Sequence, residues 1–159
     1  MQNDKALREH LVQILKGGGA HVDFDGAIRE VLPKVRGEIP EAAEHSLWQL
    51  LEHMRIAQWD ILEFIRNPKH KSPKFPEGYW PKSRTPPDEK AWDKTAEAFR
   101  ADLQSLIALV EDQSTDLFAK LPQGDRQTVL REVLVVADHS AYHIGTFVLL
   151  RRILGAWHE

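Results

Sequence analysis

Residues 128–154 read TVLREVLVVADHSAYHIGTFVLLRRIL, with no proline and a single glycine, Gly145. The stretch is rich in Leu, Val and Ile, which would lie on several sides of a helix. It therefore predicts a long central helix that ends at Gly155. His139 and His143 interrupt the apolar run at a spacing of four residues, so both side chains project from one face. Imidazoles inside so apolar a helix indicate either metal ligands or a catalytic acid or base.

The N-terminal segment predicts a first helix over residues 4–16, with Asn3 as its N-cap. Its apolar stripe consists of Leu7, Leu11, Ile14 and Leu15. The three glycines at positions 17–19 end the helix. A connector follows and contains a short helical piece at about residues 25–31.

Ser46 and Gln49 form a capping-box pattern at the start of a second helix, which ends at Asn67 and Pro68. The third helix is predicted to begin at Asp88 and Glu89, because acidic residues suit the positive end of a helix. Its apolar positions alternate at spacings of four and three, as in bundle packing: Trp92, Ala96, Phe99, Leu103, Leu106 and Val110.

These elements predict an all-α four-helix bundle formed by one domain over residues 1–159. Residues 67–87 carry six of the nine prolines and few Gly or Ser, which indicates a long ordered loop. A loop of this length can run back along a helix about 30 Å long, so it could cross over and leave helices two and three parallel.

The composition excludes several classes of protein. Lys and Arg number 21 against 24 Asp and Glu, a net charge of -3, which offers no footprint for nucleic acid. There is no cysteine, so a soft-metal site must use histidine and carboxylate. The charged N-terminus is not a secretory signal, and no uninterrupted apolar run approaches the roughly 20 residues of a membrane span. We expect a soluble cytoplasmic protein with no membrane partner.

His53 lies within the apolar stripe of the second helix, between Leu50 and Ala57, and therefore points into the bundle. Alone, it would be read as a buried neutral histidine hydrogen-bonded to a neighbour. Together with His139 and His143 it makes three inward nitrogens on two helices, the ligand set of catalytic zinc sites. A histidine network without metal is the alternative that the pattern leaves open.

Other side chains are secondary candidates for the site. Asp60, two turns beyond His53, could reach the same cleft as a general base or as an acceptor that orients a ligand imidazole. Asp138 is predicted to be a surface carboxylate. His45 is predicted to be exposed, with a mouth-of-site role as the alternative, and His70 is predicted to face solvent. Tyr79 and Trp80 in the long loop could form a lid.

The segments 46–53 (SLWQLLEH) and 138–145 (DHSAYHIG), the latter followed by VLLRR at 148–152, resemble signatures of the DinB-like (YfiT-like) four-helix-bundle proteins. The resemblance covers nearly the whole chain in order and length. It implies an up-down-down-up bundle, frequently a homodimer, with zinc or nickel held by His53, His139 and His143. Thr146 departs from the glutamine common in the family, which removes an amide from that position.

The resemblance implies a metal-dependent enzyme that acts on a small molecule and activates either water or a thiol. Relatives of this fold include thiol-dependent S-transferases and isomerases that use bacillithiol or mycothiol, so the resemblance also implies a low-molecular-weight thiol as a candidate cofactor. A non-catalytic metal-binding or stress-response protein is the alternative, which would need a fourth protein ligand such as His45 or Asp60.

Overall fold

The computed structural model describes residues 2–157 of the chain. Over these residues it is all-α, with four long helices, one short helix and no strand. The α-helices are α1 (Gln2–Lys16), α2 (Phe24–Ile28), α3 (Leu47–Arg66), α4 (Ala91–Glu111) and α5 (Val129–Ile153). A single 3₁₀ turn, Pro33–Val35, lies between α2 and α3. The predicted all-α bundle fold is confirmed.

The capping box predicted at the start of α3 is confirmed, and a side chain also caps the start of α5. Ser46 Oγ accepts the Gln49 backbone N–H, and the Gln49 side chain accepts the Ser46 backbone N–H, each at 3.1 Å. Thr128 Oγ1 accepts the backbone N–H of Arg131 at the start of α5. Gly155 has φ +64°, the left-handed conformation that commonly ends a helix.

Two predicted helix starts are wrong. α4 begins at Ala91, because Asp88 Oδ1 accepts the Lys90 backbone N–H in a local turn that competes with helix formation. The acidic residue in the first turn of α4 is therefore Asp93. α1 begins at Gln2, which places Asn3 inside the helix.

One residue of the predicted α1 stripe is also misassigned. Ile14 is 54% exposed, whereas Val12, which the pattern left out, is buried. The buried face is centred on the Leu11–Leu15 row, and Ile14 falls at its solvent edge.

Hydrogen bonds between helices indicate their relative directions. Glu52 on α3 accepts from Thr95 on α4, and Gln58 on α3 donates to the Phe99 carbonyl further along α4. The order is the same on both helices, as it is for parallel neighbours. The two bonds between α3 and α4 therefore place these helices parallel to each other. Arg8, in α1, donates to the Val110 carbonyl near the end of α4.

The interior consists of two apolar clusters, and the histidines lie where they meet. In α5, one cluster includes Val133 and Val136, and the other includes Ile144 and Phe147. His139 and His143 therefore occupy the level of α5 between the two. The core on both sides holds this level of the bundle rigid, which suits a site with fixed geometry.

By length and composition, α5 is the one helix among residues 2–157 that could cross a membrane. In the fold, α5 packs against α1, α2 and α3, and the core helix of a bundle has the same apolar character.

Arg151 joins the end of α5 to two other segments. It is 3% exposed, and its guanidinium donates to the Ala27 carbonyl of α2 at 2.6 Å and to the Ala156 carbonyl at 3.0 Å. The Arg151 guanidinium therefore stabilises the fold, because both of these hydrogen bonds go to buried or half-buried main-chain carbonyls.

Candidate metal centre

The three histidines predicted from the sequence converge at one point between α3 and α5. His53 Nε2 lies 3.0 Å from His139 Nε2 and 3.2 Å from His143 Nε2. Three nitrogens bound tetrahedrally at about 2.0–2.1 Å from one zinc ion would be spaced by about 3.3 Å. The three side chains can thus hold one metal ion, and no rotation of a helix is needed to bring them together.

The other ring nitrogen of His53 determines which atom can be a ligand. Nδ1 lies 3.0 Å from the backbone oxygen of Tyr79. A carbonyl oxygen can only accept, so Nδ1 carries the hydrogen and donates it. In neutral His53 the Nε2 atom then presents a lone pair towards His139 and His143, as in metal sites where a carbonyl orients the ligand imidazole.

A histidine network without metal fits this geometry poorly. The single Nε2 lone pair of His53 faces two other Nε2 atoms and can accept a good hydrogen bond from only one of them. A cation shared by the three Nε2 lone pairs removes this competition for one acceptor. His143 Nδ1 is buried without a hydrogen-bond partner among the described residues, and it does not distinguish the two cases because the ion would bind Nε2.

Burial keeps all three imidazoles in the form that binds metal. Desolvation lowers the pKa of His143 to about 3 and that of His139 to about 4, with the neighbouring histidines adding to both shifts. The pKa of His53 is also lowered by burial. The rings are therefore neutral at pH 7, and metal need not compete with protons for their lone pairs.

The loop between α3 and α4 covers one side of the centre. Trp80 stacks on His53 with ring centroids 3.8 Å apart and planes 1° from parallel. His45 stacks on Trp80, also at 3.8 Å, and is half-buried, so the predicted exposure of His45 is wrong. Trp80 thus fixes the ring plane of a candidate ligand.

A pocket of about 340 Å³ opens beside His143. Its wall includes Leu50, Trp80, Leu149 and Ile153, and it is predominantly apolar. Among the described residues that line it, Glu44 is the one acidic residue, and none is Lys or Arg. The volume suits a small molecule bound next to the histidines.

Asp60 is buried, and both of its carboxylate oxygens have partners outside the candidate metal centre. Oδ1 lies 2.7 Å from His70 Nε2, and Oδ2 accepts the Tyr79 hydroxyl at 2.6 Å. The prediction that His70 faces solvent is wrong, because its side chain is only 8% exposed. The position of a loop histidine has no helical phase, so no sequence signal could place it.

Two further predicted residues lie at the edge of the centre. Asp138 is exposed, as predicted for a surface carboxylate. Thr146 is exposed on α5, and its hydroxyl donates to the Tyr142 carbonyl of the same helix. Its hydrogen bond is therefore internal to α5.

Over residues 2–157, the cluster of candidate ligands has three members and no fourth. His45, one candidate fourth ligand, is stacked on Trp80, and Asp60, the other, is bound to His70 and Tyr79. Three neutral imidazoles that leave a coordination position free are typical of catalytic zinc sites, whereas structural sites are closed by four protein ligands.

Comparison with known proteins identifies the family. The sequence model of the DinB superfamily matches residues 23–147, a range that contains all three histidines. Comparisons with curated proteins and with solved structures give no match. Since the matched range covers most of the chain and the histidine cluster lies within it, this protein belongs to the DinB superfamily.

Proposed function

We propose that this protein is a metal-dependent enzyme in which His53, His139 and His143 bind one divalent ion through their Nε2 atoms. The main support is the approach of two Nε2 atoms to within 3.0 and 3.2 Å of the His53 lone pair. Zinc and nickel are the proposed ions, because both accept imidazole ligands. When bound, such an ion acts as a Lewis acid that favours the deprotonated form of a coordinated water or thiol.

The adjoining pocket is the proposed substrate site. Its position beside His143 brings a bound molecule next to the ligands, and an apolar molecule that filled it would exclude water from one side of the centre. Since the described wall contains Glu44 and no Lys or Arg, the pocket favours a substrate that is largely apolar and not anionic. Hydrolysis and thiol S-transfer are the two proposed reaction types, with a low-molecular-weight thiol as co-substrate in the second.

The alternative proposal is a non-catalytic metal-binding or stress-response protein. The free coordination position and the adjoining pocket favour the enzyme over this alternative. Asp60 as general base, a homodimer, a cytoplasmic location and the absence of nucleic-acid and membrane partners stay predictions from the sequence.

An activity screen tests the enzyme against its alternative. Zinc- and nickel-loaded protein would be assayed for ester and amide hydrolysis and for thiol addition to apolar electrophiles. We expect turnover that a chelator abolishes and that the added ion restores. Leu149→Arg, at an exposed position of the pocket wall, should raise KM with the bound metal retained. Full metal loading without turnover on any of these substrates would favour the non-catalytic protein.

Acidification is expected to destabilise the metal-free protein below about pH 6.5. The unfolded chain protonates His139 and His143 at their usual pKa of 6.5, whereas the folded protein keeps them neutral down to about pH 4 and 3. Below pH 6.5 the unfolded state therefore binds more protons than the folded state, so the free energy of unfolding decreases as the pH is lowered. As the pH is lowered from 6.5 to 5, one such histidine accounts for a loss of about 2 kcal/mol in the free energy of unfolding.

Urea unfolding of chelator-treated protein at pH 7, 6 and 5 measures this effect. The double variant His139→Gln/His143→Gln is the control, since glutamine does not titrate. It should lose less stability over the same range. An equal pH dependence of the free energy of unfolding in wild type and the double variant would contradict this prediction, because it would show that His139 and His143 have the same pKa in the folded and unfolded states.

A further inference from the structure

Tyr79 is attached to α3 at both of its ends. Its backbone oxygen accepts from His53 Nδ1 at 3.0 Å, and its hydroxyl donates to Asp60 Oδ2 at 2.6 Å. Asp60 lies seven residues beyond His53, which is two helical turns or about 10.5 Å. Burial, with Asp60 adding to it, raises the pKa of Tyr79 to about 12, so the hydroxyl keeps its proton and donates at neutral pH.

Asp60 is in turn held by His70, a residue of the same loop as Tyr79. Its Oδ1 lies 2.7 Å from His70 Nε2, and both side chains are less than a tenth exposed. The His70 ring also meets Trp59 of α3 edge-on, with centroids 5.4 Å apart. A buried carboxylate is costly even when hydrogen-bonded, and an apolar side chain would fill the same space without that cost. The polar cluster therefore indicates a role other than packing.

The acceptor that orients His53 needs such an attachment because of where it lies. Residues 67–90 contain turns but no helix or strand. No ladder of backbone hydrogen bonds consequently fixes the Tyr79 carbonyl, as one would inside a helix. Within the loop, the Tyr79 backbone N–H donates to the Pro76 carbonyl at 3.0 Å. The attachments of this segment to α3 include the hydroxyl at the other end of Tyr79 and the stacking of Trp80 against His53.

We propose that Asp60, His70 and Tyr79, called the latch below, fix the tautomer and ring orientation of His53 and so set the metal affinity of the centre. The effect of the latch on metal affinity rests on the proposed function, whereas its effect on the tautomer of His53 does not require metal. In it, Asp60 is a positioning residue that acts on the ligand through Tyr79. Outer partners of metal ligands typically change metal affinity by about 10–100-fold when they are removed.

The two tyrosines of the chain provide a matched pair of variants. Tyr79→Phe removes the latch hydroxyl and keeps the ring and the backbone carbonyl. Tyr142→Phe removes a hydroxyl next to His143, from a side chain that is 71% exposed. Two readouts apply to each: the His53 tautomer from ring ¹⁵N shifts of the metal-free protein, and Co²⁺ affinity and absorption spectrum in competition with a chelator.

Wild-type protein and Tyr142→Phe should show His53 protonated at Nδ1 alone. Tyr79→Phe should show a mixture of tautomers, a Co²⁺ affinity about tenfold weaker and an altered Co²⁺ spectrum. The latch is refuted if Tyr79→Phe matches Tyr142→Phe in tautomer and affinity. If wild-type protein binds no Co²⁺ while the His53 tautomer still depends on Tyr79, the metal proposal and the effect of the latch on affinity fail, and the effect of the latch on the His53 tautomer stands. Should Tyr79→Phe not fold, Asp60→Asn and His70→Gln decide by the same readouts.

Discussion

Replacement of His143 with alanine is expected to abolish stoichiometric metal binding. Untagged wild-type protein incubated with zinc or nickel should retain close to one ion per chain, measured by elemental mass spectrometry. The variant loses one of three nitrogens that lie 3.0–3.2 Å from their neighbours. We expect its affinity to fall on the order of a thousandfold, because a direct ligand contributes more than the outer partners whose loss costs about 10–100-fold.

Thermal unfolding gives an independent measure of the same loss. An ion at a thousand times its Kd stabilises the folded state by about 4 kcal/mol. For a protein of this size that raises the Tm by about 8–16 °C, a shift that should vanish in His143→Ala. His21→Ala is the matched control, since His21 is an exposed histidine of the connector after α1.

Two results would contradict the metal centre. His143→Ala with wild-type metal content and an unchanged melting shift would exclude His143 as a ligand. Wild-type protein that retains no ion after incubation with zinc, nickel, manganese or iron would support the histidine network instead. In that case His143→Ala should alter stability equally with and without added metal.

Arg151→Met is expected to have the largest effect on stability outside the metal centre. Methionine keeps much of the apolar stem but leaves the Ala27 and Ala156 carbonyls without their charged donor. Hydrogen bonds to charged groups contribute about 1.5–3 kcal/mol each, so we expect a loss of about 3 kcal/mol or more. The Tm should fall by about 6–12 °C.

Denaturant unfolding of Arg151→Met beside Arg126→Met measures this loss with the same chemical change at an exposed loop position. The control should stay within about 0.5 kcal/mol of wild type. Arg151→Lys should fall between the two, because lysine keeps the charge but cannot donate in two fixed directions. Equal stability of Arg151→Met and Arg126→Met would show that the buried hydrogen bonds contribute no net stability.

Much of the metal centre could be predicted because its ligands lie on helices. The phase of His53 relative to Leu50 and Ala57, and the spacing of His139 and His143, are local properties of a 3.6-residue period. Once the apolar stripes define which side of each helix is buried, the histidines must point inwards. The start of α4 was harder, since the Asp88 side chain offered the backbone a turn in place of the helix.

The sequence by itself determined the helices, the bundle and the three inward histidines, because each follows from periodicity and caps within one segment. Only the tertiary structure decided how His53 is oriented and what surrounds it. Tyr79, Trp80 and His70 belong to a loop of 24 residues, 67–90, that has no repeating side-chain direction. Their places are set by contacts with α3 that are made across up to 27 positions of sequence, the separation of His53 and Trp80, and no local pattern encodes such contacts.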